Sequence, residues 1–104
     1  MIKLEGKIKK VFGTETFNNF EKRIFWLEEV KSAEPRFTNT WQLELWKADC
    51  TMIDKYREGD YITAYVDIKG KAYIKKNDNS EGVMNTLKCW NIEKDGVSVK
   101  QITN

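Results

Sequence analysis

The segment Thr40–Trp46 (TWQLELW) places apolar and polar side chains at alternating positions. Successive side chains of a β-strand point to opposite faces, so this alternation predicts a half-buried strand. One face would carry Trp41, Leu43 and Leu45, and the other would carry Gln42, Glu44 and Trp46. The first face suits a core, whereas the second ends in a large aromatic side chain, which is typical of a binding surface. We therefore expect a small barrel that closes around the first face and binds a ligand with the second.

The length and composition predict one folded domain spanning residues 1–104. Hydrophobic residues make up 40% of the chain and charged residues 33%, which is typical of a soluble globular protein. The sequence has no apolar run of membrane-spanning length, and Met1–Glu5 lacks the apolar core of a signal peptide. We therefore expect a cytoplasmic protein without a membrane partner.

The residue types used most often in catalysis and metal binding are scarce. The chain has no histidine and two cysteines, Cys50 and Cys89, so a closed zinc site cannot be built within one chain. The commonest general base is absent, as are Gly-rich phosphate loops and nucleophile motifs. We expect free thiols, no cofactor, no metal and no enzymatic activity. The net charge of +2 does not indicate a nucleic-acid partner by itself, so the distribution of basic residues matters more.

The first predicted strand spans Ile2–Phe12, because apolar residues recur there at alternate positions. The alternation breaks near Lys9–Lys10, where a bulge would return Val11 to the core. Gly6 inside the strand is typical of a tight bend in a barrel.

A loop is predicted at Gly13–Glu21, followed by a second strand at Lys22–Val30. The loop aromatics Phe17 and Phe20 either cover the end of the barrel or stack on a ligand. In the second strand we expect Phe25 and Leu27 to face inward and Trp26 to face outward.

The segment Thr40–Trp46 is the third predicted strand, and a short helix is predicted at Lys47–Arg57. Met52, Ile53 and Tyr56 recur there at helical spacing, and Asp49 or Thr51 would cap the start. This apolar stripe predicts a helix that closes one end of the barrel.

The fourth predicted strand, Tyr61–Lys69, has one apolar face, made of Ile62, Ala64, Val66 and Ile68. We expect a turn at Gly70–Lys71 and a polar loop at Lys76–Gly82. In the fifth strand, Val83–Glu93, a bulge near Cys89–Trp90 would bring Leu87 and Cys89, and also Trp90 and Ile92, to the core. Residues 95–104 are expected to form a short strand or tail.

Three strands, a short helix and two strands predict an all-β protein with the OB-fold, a five-stranded Greek-key barrel with its helix between strands 3 and 4. OB-folds bind oligonucleotides across strands 2 and 3 and the adjacent loops. An SH3-like barrel is the main structural alternative.

Four stretches resemble small single-domain OB-fold proteins related to bacterial and phage single-stranded DNA-binding proteins. They are Thr16–Phe17 with Phe20–Phe25, Leu43–Trp46, Asp54–Tyr56 with Glu58–Asp60, and Asn85–Glu93. The resemblance implies the OB-fold and single-strand binding, in replication, recombination or repair, and it implies no catalytic residues. The chain departs from the bacterial proteins by ending at Gln101–Asn104. We therefore expect no acidic recruitment tail, and we leave tetramer formation open.

A sequence-tolerant single-strand binder needs aromatic rings for stacking and cations for phosphates. The predicted outward positions supply the aromatic side chains Trp26, Trp46, Tyr65 and Tyr73. The accompanying cations are Lys9, Lys22, Arg23, Lys71, Lys75 and Lys88. Glu28 and Glu44 fall on the same predicted face and would repel phosphate. They are expected to confine the strand's path to the groove ends and the loops.

Other interpretations stay open at this point. Taken singly, each tryptophan is more typical of core or rim packing than of base stacking. Trp26 and Trp46 would also suit a protein-interaction or self-association module. A metal-dependent nuclease using Asp60, Asp67 or Glu44 is disfavoured, because the sequence shows no close carboxylate cluster. The choice between DNA and RNA, the site size and the oligomeric state are also left open.

Overall fold

The computed structural model describes residues 2–29 and 38–94. It contains six strands and one 3-10 helix: β1 (Ile2–Val11), β2 (Glu15–Phe17), β3 (Phe20–Glu29), β4 (Thr40–Trp46), the helix (Lys47–Lys55), β5 (Tyr61–Ile74) and β6 (Glu81–Lys94). The predicted connection around Pro35 and the predicted strand or tail at 95–104 lie outside the described residues.

Five strands close into a barrel in the order β1–β5–β6–β4–β3, with β3 returning to pair with β1. All neighbours are antiparallel except β4 and β6, which run parallel. The short β2 extends the sheet by pairing with β3. Strand order and the helix between β4 and β5 confirm the prediction of an all-β OB-fold. The loop predicted at Gly13–Glu21 instead contains β2 and a two-residue turn at Asn18–Asn19.

The core is built from alternate residues of the barrel strands. Fully buried side chains include Phe25 and Leu27 of β3, Leu43 and Leu45 of β4, and Ile62, Ala64 and Val66 of β5. The inward direction of Phe25, Leu27, Leu43 and Leu45 is as predicted. Truncating a buried leucine to alanine typically costs about 2–5 kcal/mol of stability, so these residues hold the barrel together.

The strand β1 pairs with two neighbours, and Gly6 lies where the two pairings overlap. Gly6 pairs with Ile62 of β5 on one edge and with Glu29 of β3 on the other. A Cβ atom at Gly6 would collide with the backbone carbonyl of Glu28. Beyond this point the register shifts between Ile8 and Lys10, as predicted, and the bulge lets Val11 pack against the core.

The helix lies across one end of the barrel but differs in type from an α-helix. Cys50 and Ile53 are buried, and their spacing of three matches the three residues per turn of a 3-10 helix. Met52 and Tyr56 pack against the core and are partly buried. The predicted caps Asp49 and Thr51 are wrong, because Trp46 is the N-cap residue and caps with no side-chain hydrogen bond among the described contacts.

The strands β5 and β6 continue past the barrel as a two-stranded ribbon, residues 68–86, which we call the arm. The predicted turn at Gly70–Lys71 is wrong, since these residues pair with Asn85 and Met84 inside the ribbon. Ile68 was expected in the core but is 61% exposed. In the described part of the chain, the pairing of β1 with β5 reaches Val66, opposite Ile2, and Ile68 lies beyond it.

A bulge in β6 lies where the sequence predicted one. Tyr65 pairs with Asn91 and Val66 with Cys89, so Trp90 is the extra residue. Cys89 and Ile92 are buried. The expectation that Trp90 also enters the core is wrong, because the bulge leaves its side chain on the outer surface. Cys50 and Cys89 are buried free thiols, as expected.

Candidate nucleic-acid interface

The outer side of β3 and β4 forms what we call the β3–β4 face. It consists of Phe20, Lys22, Ile24 and Trp26 of β3 and Gln42, Glu44 and Trp46 of β4. Trp26 lies opposite Gln42, and Lys22 lies opposite Trp46. Lys22, the residue opposite Trp46, is four residues before Trp26 along β3. At the usual rise per residue, the two tryptophans are therefore roughly 13 Å apart along the face.

Trp26 forms one wall of a groove at the end of this face. Its ring meets that of Phe12 edge-on, with 5.2 Å between centroids. Its indole Nε1 donates a hydrogen bond to Gln42 Oε1 at 3.1 Å, which fixes the ring orientation. The groove has a volume of about 300 Å³ and is lined by Phe12, Gly13, Glu15, Lys22, Ile24, Trp26 and Gln42.

Trp46, at the other end of the β3–β4 face, has an edge-on ring contact and an indole hydrogen bond like those of Trp26. Its ring meets Phe20 edge-on, with 5.5 Å between centroids. Its Nε1 donates to Glu44 Oε1 at 2.9 Å. Both tryptophans are half-buried, so part of each ring packs while the rest faces outward.

A lysine ammonium group lies near every aromatic ring of this surface. The distances from Nζ to ring centroid are 5.7 Å for Lys10 and Trp26, 5.2 Å for Lys10 and Phe12, 5.9 Å for Lys22 and Phe17, 5.8 Å for Lys47 and Phe20, and 5.1 Å for Lys88 and Trp46. These distances are within the range of cation–π attraction. The face therefore combines stacking surfaces with positive charge, although the protein's net charge is only +2.

The two carboxylates expected to repel phosphate are already engaged. Glu28 lies 3.9 Å from Lys7 Nζ and 3.5 Å from Lys9 Nζ. Glu44 accepts the hydrogen bond of Trp46. Lys9, predicted as a phosphate contact, is thus paired with Glu28, while the neighbouring Lys10 reaches over Trp26 because the bulge falls between Ile8 and Lys10.

Arg23 points away from the β3–β4 face, unlike its neighbour Lys22. Its guanidinium donates to the carbonyl oxygen of Phe12 at 2.8 Å, to that of Cys50 at 3.2 Å and to Asp54 Oδ1 at 2.7 Å. Arg23 therefore joins β3 to the helix and to the end of β1, and we do not place it in the candidate interface.

Tyr65 lies on a different side of the barrel from the two tryptophans. Its ring is 5.6 Å from that of Trp90, and Lys3 Nζ lies 5.6 Å from the Tyr65 centroid. A hydrogen bond to Glu93 raises the pKa of the Tyr65 hydroxyl, with smaller contributions from desolvation and from the charges of Glu93 and Glu5.

Tyr73, Lys71 and Lys75 belong to the arm, away from the barrel. Tyr73 pairs with Gly82, and a Cβ atom on Gly82 would lie 2.7 Å from the Tyr73 ring, so the ring rests on this glycine. Lys71 shares its side of the ribbon, and Lys75 lies at the end of the ribbon, where its backbone N–H donates to Ser80. The structure thus divides the predicted site into the β3–β4 face, the surroundings of Tyr65, and the arm.

Sequence reasoning did not assign Lys10, Phe12 and Lys47 to the site. Phe12 and Lys10 lie at the bulged end of β1, whose phase the alternation did not define. The sequence predicts Phe17 and Phe20 as loop residues, whereas the structure places them in β2 and β3. The pair Asn18–Asn19, both with positive φ (49° and 66°), could have indicated a tight hairpin.

Within residues 2–29 and 38–94, no three His, Cys, Asp or Glu side chains gather closely enough to hold a metal ion. The carboxylate of Asp60 accepts from the backbone N–H of Arg57, and Glu44 is bonded to Trp46. No helix in the described part of the chain is long and apolar enough to cross a membrane.

Fold and outer surface together define an OB-fold barrel with an aromatic and basic face. Residues 3–93 match a family described as a domain of unknown function, DUF3127, and the chain belongs to that family. No curated protein matches the sequence. Among solved structures, the chain is similar to a mitochondrial single-stranded DNA binding protein of S. cerevisiae, Rim1. That match has 16% identity and a TM-score of 0.65, and covers 90% of this chain and 95% of the yeast chain. At this identity the likeness shows a shared fold.

Proposed function

We propose that this protein binds single-stranded DNA with little sequence preference, by stacking bases on the β3–β4 face and contacting phosphates with the lysines beside the rings. The observation that carries the proposal is the recurrence of aromatic and lysine pairs along one side of the barrel. The similar fold of the yeast protein, which is a single-stranded DNA binding protein, supports the proposal.

The physical chemistry of the face matches an unpaired strand better than a duplex. A duplex hides the flat surfaces of its bases, whereas a single strand exposes them to aromatic side chains. Stacking contributes about 1–3 kcal/mol per base, so Trp26 and Trp46 together would provide useful affinity. Because every base has a π-face, binding of this type tolerates most sequences. Single-stranded RNA also exposes its bases and phosphates, and we propose it as a second ligand of the same site.

The role we infer is protection and presentation of single strands during replication, recombination or repair in the cytoplasm, without catalysis. Polar groups near the two tryptophans are used for orientation: Gln42 and Glu44 each accept an indole N–H. Such hydrogen bonds keep the rings ready for stacking before the strand arrives, which limits the entropy lost on binding.

Binding of a labelled oligothymidine to variants tests the proposal. We expect Trp46→Ala and Trp26→Ala each to weaken binding by roughly 5- to 150-fold, the equivalent of one lost stacking contact. Lys88→Gln should also weaken binding and reduce its dependence on salt. Lys55→Gln makes the same charge change at the end of the helix, away from the β3–β4 face, and is the matched control. Unchanged affinity in both tryptophan variants, with intact cooperative melting, would overturn the proposal.

The arm favours self-association as a second candidate function. Ile68, Ile74 and Val83 share one side of the ribbon and are 61%, 60% and 68% exposed. A two-stranded ribbon is marginally stable alone in water, so an apolar contact on this side would stabilise it. Sedimentation tests this candidate: Val83→Lys should lower the apparent mass at high concentration while single-strand affinity per chain stays the same. A concentration-independent monomer mass for the wild type would contradict it.

A further inference from the structure

The outer side of β1, β5 and β6 carries a second group of aromatic and cationic side chains, which we call the Trp90 patch. It consists of Lys3, Tyr65 and Trp90. The rings of Tyr65 and Trp90 are 5.6 Å apart and inclined at 45°. Lys3, which pairs with Tyr65 across β1 and β5, places its ammonium group 5.6 Å from the phenol ring. The patch thus repeats the combination of rings and lysine found on the β3–β4 face.

The bulge in β6 is what exposes Trp90. Cys89 and Ile92 are three positions apart and would point to opposite sides in a regular strand. The bulge brings both into the core and leaves Trp90, the extra residue, 38% exposed. Bulges recur next to functional sites because they redirect a side chain. Trp90 is not an isolated exposed side chain, because its ring lies beside that of Tyr65. Adjacent exposed apolar groups are typical of interaction sites.

Lys88 connects the Trp90 patch to the β3–β4 face. Its ammonium group lies 5.1 Å from the Trp46 centroid, and its backbone pairs with Glu44 of β4 and Asp67 of β5. Trp90 follows two residues later, roughly 7 Å along the strand at the usual rise per residue. The outer surface from Trp46 to Trp90 is therefore continuous, with a cation at its middle.

We propose that the Trp90 patch is an additional stacking site for the same single strand, which leaves the β3–β4 face at Trp46, passes Lys88 and reaches Trp90. The inference rests on the proposed function. Trp90 supplies the stacking surface, and Lys88 and Lys3 contact the phosphates on either side of the stacked base. Glu93 and Glu5 lie near the Tyr65 hydroxyl and keep phosphates away from that end of the ring.

The consequence is a longer site than the β3–β4 face provides. OB-folds cover between about 4 and about 16 nucleotides. A strand at the short end of this range would occupy the β3–β4 face, and only a longer one would also reach the Trp90 patch. Strand length therefore separates the two sites in an experiment.

The test measures the affinity of labelled oligothymidines of about 5 and about 16 nucleotides for the wild type and for Trp90→Ala. We expect Trp90→Ala to weaken binding of the long strand by roughly 5- to 150-fold and to leave the short strand unaffected. Trp90→Phe keeps an aromatic ring and is the matched control, with most of the long-strand affinity retained. Lys3→Gln, a surface change that leaves the bulge intact, should lower the salt dependence of the long strand by about 0.7.

The outcomes separate this inference from the proposed function. If the wild type binds both strands and neither Trp90→Ala nor Lys3→Gln changes long-strand binding, the Trp90 patch is overturned while the proposed function stands. Equal losses for both strands would also overturn it, since the short strand should not reach Trp90. If the wild type binds neither strand, both proposals fail. A fall in sedimentation mass for Trp90→Ala without loss of affinity would assign the patch to contact between copies of the chain and overturn the inference.

Discussion

Lys22 and Arg23 are neighbours in β3 and point to opposite sides of the sheet. Lys22 faces outward beside Phe17, while Arg23 donates to two backbone carbonyls and to Asp54. Asp54 is well exposed, so its ion pair with Arg23 contributes little, and the carbonyl bonds of the guanidinium are the stronger anchors. Lys22 is thus available to contact phosphate, whereas Arg23 maintains the contact between β3 and the helix.

The buried thiol of Cys89 makes the free energy of unfolding depend on pH under alkaline conditions. Burial is the main reason that its pKa is raised from 9.0 to about 12. A raised pKa in the folded state means that the unfolded chain loses this proton first as pH rises. We expect the contribution of the thiol to the free energy of unfolding to be complete below about pH 9. It should then decline by about 1.4 kcal/mol per pH unit toward pH 12.

Denaturant unfolding between pH 8 and pH 11 measures this effect when the wild type is compared with Cys89→Ala. All other ionisable groups are common to both proteins, so the difference between the two curves isolates the Cys89 thiol. The wild type should lose stability more steeply above about pH 9. Parallel curves over the whole range would show that the thiol ionises equally easily in both states.

Among the strands, β1 closes the barrel, because it pairs with β5 through its first half and with β3 through its second half. The change of partner takes place at Gly6, where the backbone of Glu28 leaves no space for a side chain. The following bulge then turns Lys10 toward Trp26. Closure of the fold and assembly of the candidate site therefore depend on the same stretch of strand.

Gly6→Ala should destabilise the protein by about 1–3 kcal/mol, because the added methyl group forces β1 and β3 apart. Gly13→Ala is the matched control, since a Cβ atom there meets no described atom within 4 Å. Unfolding in denaturant measures both variants. Equal stability of the two would contradict the role assigned to Gly6.

Alternation in the sequence was sufficient to predict the barrel strands whose two faces differ. Thr40–Trp46 forms a strand with those bounds, and both β-bulges lie where the alternation broke. Alternation did not predict which side chains are buried where burial depends on pairing with strands distant in the sequence. Ile68 continues an apolar phase but lies past the end of β1, and whether Ile92 or Trp90 follows Cys89 into the core depends on the register with β5.

The candidate site was predictable only in part, for a related reason. The outward phase of Trp26 and Trp46 follows from local alternation. The separation of Tyr65 from them follows from the order of strands around the closed barrel, because β6 lies between β5 and β4. The inward direction of Arg23 could have been read from the phase it shares with Phe25.

At the scale of the molecule, the aromatic and basic groups of residues 2–29 and 38–94 are spread over the outer surface of the barrel and the arm and are not gathered in one pocket. The β3–β4 face presents Trp26, Trp46 and Phe20, with Phe12 and Phe17 beside it. The ammonium groups of Lys10, Lys22, Lys47 and Lys88 lie close to these rings. The arm extends from the barrel with further lysines and Tyr73. An extended, flexible polyanion with exposed bases fits such a surface better than a compact ligand does.

Intrinsic tryptophan fluorescence, titrated with an oligothymidine and with a duplex of equal length at low and high salt, tests the central claim most directly. Stacking predicts strong quenching by the single strand and weak quenching by the duplex. The logarithm of affinity should fall with the logarithm of salt concentration with a slope of about −3, if each of the four lysines beside the rings neutralises one phosphate. Absence of quenching and binding with the single strand, or equal binding of the duplex, would contradict the account.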